Sequence, residues 1–190
     1  MSDEQLISEI IKGNQLYFKI LVDQYQSLVL NTCFSFVHNK VDAEDISQEV
    51  FIEVYLSIHK FKNQSKLSTW LYRIAVNKSL NYIRDNKKRN IFKSIENFFT
   101  KSQSDMQIPD DSYLDTSFDE IEKERFKLLK KAINKLPENQ RTAFTLHKLE
   151  KIPYKKTAEI MNISLASVEG LIHRAKINVQ KYILKTYKKN

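Results

Sequence analysis

The chain has 190 residues with only two glycines, three prolines and one cysteine, and it carries a net charge of +8. Its glycine and proline poverty disfavours a turn-rich all-β fold, and 42% hydrophobic residues exclude a disordered or fibrous chain. No run of about 18 apolar residues is present to span a membrane. The start MSDEQLISEI is acidic where a signal peptide is basic and then apolar. A single cysteine, Cys33, admits no internal disulfide and reads as a core thiol among Leu30, Phe34 and Val37, so a cytoplasmic protein is expected.

The elements read as helices throughout. A first helix is expected over residues 3–12 and a second over 14–38, with Leu16, Ile20, Leu21, Leu28, Phe34 and Val37 as its apolar stripe. A third, over residues 43–59, has carboxylates in its first turn, where the helix dipole favours them. Its core arc holds Ile46, Val50, Phe51, Val54 and Ile58. The opposite side is mixed, with Ile52, Tyr55 and Leu56 interleaved among Asp45, Gln48 and Glu49. Apolar residues ringed by acids and amides resemble an interface core with a polar rim, or a helix sandwiched within its own domain. The acids of this helix have no nearby His or Cys to complete a metal or catalytic cluster, and neither is expected.

A polar loop, residues 62–68, then precedes a fourth helix capped by Ser68 or Thr69 and running to about residue 88. Leu71, Ile74, Ala75 and Tyr82 form its core side, broadened by Val76, Leu80 and Ile83. Trp70, Arg73, Asn77, Asn81 and Arg84 run opposite at spacings of 3, 4, 4 and 3, and Lys87, Lys88 and Arg89 extend that stripe. One stackable ring, two guanidinium forks and two amides suit a strand backbone and an unstacked base, with Lys66 and Ser68 of the loop beside them. The alternative is a solvated polar face over a buried Trp70.

Residues 90–118 lose periodicity and read as an acidic linker containing Pro109, Asp110, Asp111 and Asp115. Its Ile91, Phe92, Phe98, Phe99 and Tyr113 either cover the first domain or await a partner. Helices follow over residues 119–135, 136–149 and 154–161. After a turn at Asn162-Ile163, a last helix capped by Ser164 spans residues 165–187. A short helix, a tight turn and a capped helix form a helix-turn-helix signal. Leu165, Val168, Ile172, Ala175 and Val179 are its buried stripe, and Ala166, Ser167, Gly170, His173 and Arg174 are outward, where small residues admit close approach to a major groove. Lys155 and Lys156 open the preceding helix, placed for phosphates, and His173 lacks the partner a metal ligand needs.

Charge supports this division. Residues 1–90 hold 12 basic and 10 acidic residues, residues 91–120 hold 2 and 7, and residues 121–190 hold 17 and 6. A basic C-terminal third behind an acidic middle implies a polyanion-binding module and a separate tether. The fold expected is all-α: a helical domain over residues 1–90, a flexible acidic linker over 91–118, and a helix-turn-helix domain over 119–190.

Three ordered blocks, AEDISQEVFIEVY, STWLYRIAVNKSLNYIRDNKKR and LPENQRTAFTLHKLEKIPYKKTAEIMNISLASVEGLIHRAK, resemble the extracytoplasmic-function sigma factors of bacterial RNA polymerase. The resemblance covers roughly residues 15–90 and 125–183. It implies that Asp45, Gln48, Glu49 and Ile52, with Tyr55 on the same face, dock the polymerase β′ clamp helices. It implies that Lys66, Ser68, Trp70, Arg73, Asn77, Asn81, Arg84, Lys87 and Lys88 serve the promoter −10 element. The second module would dock the β flap and place Lys155, Lys156, Ser164, Ala166, Ser167, Gly170, His173 and Arg174 at the −35 element. The linker would thread the polymerase cleft towards the RNA exit channel.

The expected partners are core RNA polymerase, promoter DNA and an anti-sigma factor or another recruiting protein; no cofactor and no catalysis are expected. Departures from the family pattern are Glu169 and Leu171, where many relatives carry Lys and Arg, Asn81, where aspartate is frequent, and Pro153 and Thr157. An acid such as Glu169 near a phosphate backbone costs affinity, so −35 binding that is weak or differently specified is expected. The rival readings are a DNA-binding regulator that acts without polymerase, and a nuclease or recombinase with a helix-turn-helix arm.

Overall fold

The computed structural model describes residues 2–100 and 120–188, with side chains described for 2–89 and 121–188. Among the described residues every regular element is helical. Helix α1 (Asp3–Ile11) starts at a reciprocal cap in which Gln5 N–H donates to Ser2 Oγ and Ser2 N–H donates to Gln5 Oε1. Gly13 follows at φ +88, a left-handed turn that only glycine enters without strain, and Asn14 caps α2 (Gln15–Val37). His38 closes α2 in the left-handed region and Asn39 caps α3 (Lys40–Ser57). A 3₁₀ turn (Ile58–Lys60) and residues 61–66 lead into α4 (Leu67–Thr100).

The second group comprises α5 (Glu120–Asn134), α6 (Glu138–Phe144) with a π-helical extension (Thr145–Leu149), α7 (Tyr154–Met161) and α8 (Leu165–Tyr187). Pro137 and Pro153 stand at the N-caps of α6 and α7, where a missing N–H costs nothing.

Helices α1 to α4 enclose one core containing Leu6, Leu21, Val29, Val50, Val54, Leu67, Leu71 and Ala75, each at most 1% exposed. Each large aliphatic side chain buried there contributes about 1.5–3 kcal/mol. Cys33 is fully buried in it, and burial pushes its thiol up to about 11, so it stays protonated at neutral pH. Tyr25, raised to about 12 first by burial and then by donating to Asp3 Oδ1 at 3.0 Å, ties α2 to α1. In the second group, Ala132, Ile133, Leu136, Ala175 and Val179 pack α5 on α8, and Ala143, Ala158, Val168 and Ile172 fill the space among α6, α7 and α8.

Several sequence expectations shift. The stripe of α2 is rotated: Leu16, Ile20 and Phe34 are exposed, while Tyr25, Val29, Thr32, Cys33 and Phe36 join Leu21 inside. An apolar helix with few polar positions offers two competing stripes, and neighbouring helices choose between them. Helix α3 begins at Lys40 because Asn39 Oδ1 accepts from the Asp42 amide at 3.1 Å. Helix α4 begins at Leu67, so neither Ser68 nor Thr69 caps it, and it continues to Thr100 through residues assigned to the linker. Nothing between residues 89 and 100 is a glycine or proline that would stop it. The remainder of that linker, with Pro109, Asp110, Asp111, Tyr113 and Asp115, lies outside the described residues. Leu165, expected in the buried stripe of α8, is 46% exposed because it heads the helix at the turn.

Candidate nucleic-acid interface

The first turn of α4 closes on Lys66, whose carbonyl accepts from the Thr69 and Trp70 amides at 2.9 and 3.3 Å. Lys66 is exposed and Ser68 half-buried. Trp70 is half-buried, tilted against Phe61 with ring centroids 5.2 Å apart, and rests on the core of the first group. Further along the same side, Asn77, Asn81, Arg84, Lys87 and Lys88 are exposed. Arg84 Nη2 donates to Asn81 Oδ1 at 2.6 Å. That bond uses one of the two acceptor positions of the amide oxygen, and the amide also carries two N–H donors.

Helix α3 presents its other face to solvent. Ile52, Tyr55 and Leu56 are 59%, 51% and 62% exposed, and Asp45, Gln48 and Glu49 are exposed around them. Tyr55 meets Phe18 edge-on with centroids 5.0 Å apart, so α2 extends this apolar surface. Lys78 of α4 lies 3.7 Å from Glu49 and 4.0 Å from Glu53, which partly offsets the acidic rim. The helix is therefore two-faced, and its second face is not sandwiched within the first group.

In the second group, α7 ends at Asn162 in the left-handed region, and Ser164 Oγ accepts from the Ser167 amide at 3.2 Å to start α8. Ala166, Ser167, His173, Arg174 and Lys155 are exposed. Gly170 is half-buried because Arg174 folds back over it: a Cβ there would meet the guanidinium at 3.4 Å. Lys156 is also half-buried, with its ammonium on the Thr69 hydroxyl of α4 and 3.6 Å from Glu159.

The two groups are in contact. Phe36 and Val76 from the first and Leu146, Ile152 and Ile160 from the second are each at most 6% exposed and form a shared apolar cluster. Arg73 donates from Nη2 to Glu159 O at 2.7 Å and from Nε to Ile160 O at 3.2 Å. Ser35 donates to Glu150, and Lys130 Nζ lies 3.5 Å from His38 O. A cleft of about 380 Å³ remains between Arg73, Asn77 and Leu80 on one side and Glu138, Asn139 and Met161 on the other.

Two family profiles match this arrangement: sigma-70 region 2 over residues 21–89 and sigma-70 region 4 over residues 126–179. The RNA polymerase sigma-H factor of Pseudomonas aeruginosa is 32% identical, with 94% of this chain and 92% of that protein covered. The ECF RNA polymerase sigma-E factor of Haemophilus influenzae is 31% identical over 96% of each. This chain belongs to the extracytoplasmic-function sigma factors. The fold is also that of the sigma factor RpoE of Bartonella quintana, solved in complex with the anti-sigma factor NepR. That match has a TM-score of 0.57 at 20% identity and covers 88% of this chain and 96% of that one. As a sigma factor, the protein directs core RNA polymerase to promoters, and it acts in transcription initiation.

The positions read from the sequence as departures have visible local settings. Leu171 is half-buried against the Ala143, Ala158, Val168 and Ile172 cluster, whereas Glu169 is exposed on α8. Thr157 is fully buried and its hydroxyl donates to Ile152 O at 3.4 Å. Sequence reasoning missed Phe61 behind Trp70, Phe18 beside Tyr55, and the junction residues Phe36, Leu146 and Ile160. The signal for the junction was the third face of α4, at Val76, Leu80 and Ile83, which one core cannot use.

His38 of this sigma factor lies at the same junction. Its Nε2 is buried with no hydrogen-bond partner among the described residues. Burial, and secondarily the charge of Lys130, lowers its pKa from 6.5 to about 4. Above pH 6.5 the imidazole is neutral whether packed or released; below it, the released state takes the proton first. Stability falls as pH drops from 6.5 towards 4, by up to about 3 kcal/mol. Denaturant unfolding at pH 7.5 and pH 5 measures this, and a His38→Asn variant, whose side chain tolerates the left-handed turn, is expected to flatten the difference.

Proposed function

We propose that this sigma factor opens promoters by a division of labour between its two helical groups, and that it does so by binding and without catalysis of its own. Residues 1–90 serve as the −10 and clamp-binding domain, and residues 119–190 as the −35 and flap-binding domain. The exposed apolar face of α3, Ile52 and Tyr55 within Asp45, Gln48 and Glu49, docks the β′ clamp helices. Lys66, Ser68, Trp70, Arg73, Asn77, Asn81, Arg84, Lys87 and Lys88 capture the non-template −10 strand. Each flipped base costs a few kcal/mol to unstack, which contacts to the captured strand offset. The first turns of α8, with Lys155 and Lys156, approach the −35 major groove. The observation that carries the reading is the exposure of the Asn77–Asn81–Arg84 edge on the helix beside a solvent-facing apolar α3.

The exposed Glu169 supports weak −35 reading, for which a recruiting protein would compensate. The solved complex of the Bartonella relative with its anti-sigma factor supports a similar regulator for this chain. Among the described residues no helix is long and apolar enough to cross a membrane, and we place the protein in the cytoplasm with the polymerase. Transcripts initiated in vitro by core polymerase plus this chain on genomic DNA are expected to share start-proximal sequence motifs that polymerase alone does not select. Start sites identical to those of polymerase alone would refute the reading.

A further inference from the structure

We infer that Glu169 is a base-reading residue that selects a cytosine in the upstream promoter element, so that this sigma factor is tuned to a sequence there and not merely weakened. The inference rests on the placing of α8 at the −35 major groove proposed above. Glu169 is the one acid of the 23 residues of α8, which also carries Arg174, Lys176, Lys181 and Lys185. Its side chain is exposed, and among the described residues its carboxylate has neither a hydrogen bond nor an ion pair.

The usual structural roles of a helical acid do not account for it. The first turn of α8, residues 165–168, holds no acid, and Glu169 lies beyond the amides where a carboxylate serves the helix dipole. His173 stands one turn further on, at the spacing of a helical ion pair, and leaves it unpaired. Being exposed, the side chain adds nothing to the core.

Against a duplex the same carboxylate is repelled by phosphates and finds donors only on the floor of the major groove. Two base edges donate there, the cytosine N4 amino group and the adenine N6 amino group. Adenine sets its N7 acceptor beside that donor, which suits an amide and opposes a carboxylate. Cytosine offers the donor alone. The outward face is low enough for a close approach, with Ala166 one turn before Glu169 and Gly170 directly after it. Arg174 folds back so that its Nη1 lies 3.4 Å from where a Gly170 Cβ would stand. Ala166, Gly170 and Arg174 line a groove of about 550 Å³ together with Asn139 and Ile163. One stretch of α8 thus offers an acceptor at Glu169 and a donor fork at Arg174. The weak −35 reading argued above then describes sequences without the cytosine, where the carboxylate meets phosphates and other acceptors.

Core polymerase carrying the full chain, on a mapped promoter with each base pair of the upstream element randomised in turn, tests this. Transcript sequencing reads the base preference at every position. The unsubstituted chain is expected to favour cytosine about tenfold at one position. Glu169→Gln supplies the donor and acceptor that adenine matches, and it is expected to move that preference to adenine with the other positions unchanged. Glu169→Ala is expected to flatten that position alone. An alanine variant that instead raises transcription equally from all sequences overturns the inference, because the acid then only repels phosphates. So does an unchanged preference in Glu169→Gln. Arg174→Ala separates the two levels of the argument. If it alters a neighbouring position while the Glu169 variants alter none, α8 reads the element and the cytosine assignment alone falls. If no variant of α8 alters any upstream preference, the −35 placing fails and takes this inference with it.

Discussion

Alanine at both Asn77 and Asn81 is expected to reduce open-promoter formation by about 100-fold, with core polymerase binding unchanged. Both side chains are exposed, so their loss leaves the core intact and stability within about 0.5 kcal/mol. Base contacts of this kind are worth about 1–3 kcal/mol each, and losing two multiplies the deficits. Permanganate reactivity of unpaired thymines measures opening, and co-sedimentation measures polymerase binding. Asn81 carries a finer test. Arg84 already takes one acceptor position of its oxygen, so on the proposed reading the N–H donor is the group expected to meet a base. Asn81→Asp keeps the Arg84 bond and exchanges that donor for an acceptor, so the preferred base should change while activity on a matched promoter survives. Wild-type opening by the double alanine variant would remove α4 from the mechanism.

Ile52→Asp is expected to weaken binding to core polymerase by about 30-fold or more, the scale of losing one buried interface anchor of about 2 kcal/mol or greater. Ile52 is 59% exposed in the free chain and contributes little to its folding, so the thermal midpoint should hold. The charge would have to be desolvated at the centre of the contact, whereas Gln48→Ala at the rim is expected to change affinity by only a few-fold. Fluorescence titration of labelled variants against core polymerase reads both. Equal affinities for Ile52→Asp and the unsubstituted chain would sink the assignment of α3.

Much of this protein is written locally, and the parts that were misread are those decided at a distance. Ser2 with Gln5, Asn14, and Ser164 with Ser167 announce helix starts because the cap and its amide lie within three residues. The helix-turn-helix was legible for the same reason, since Asn162 and Ser164 punctuate it. Helix α2 was not, because Leu16, Ile20 and Phe34 are as apolar as the residues that α3 and α4 cover, and only tertiary packing tells them apart. On α4, the stripe of polar residues was visible at helical spacing, but the meeting of Arg73 with the end of α7 joins residues 86 and 87 positions apart. No periodicity encodes such a contact.

Helix α4 is one uninterrupted rod of 34 residues, and at about 1.5 Å per residue it is roughly 50 Å long. The chain therefore departs for its second half from a point far from the Trp70 end, without melting a turn to do so. Twenty peptide steps separate Thr100 from Glu120, and at about 3.5 Å each their contour length caps that separation near 70 Å. Along a duplex rising about 3.4 Å per base pair, this reach amounts to roughly two helical turns. On the promoter reading proposed above, the spacer between the two elements has a covalent upper limit, set by this segment together with the length of α4 and the span of the second group. Within that bound, the polymerase surfaces that seat each half set the choice.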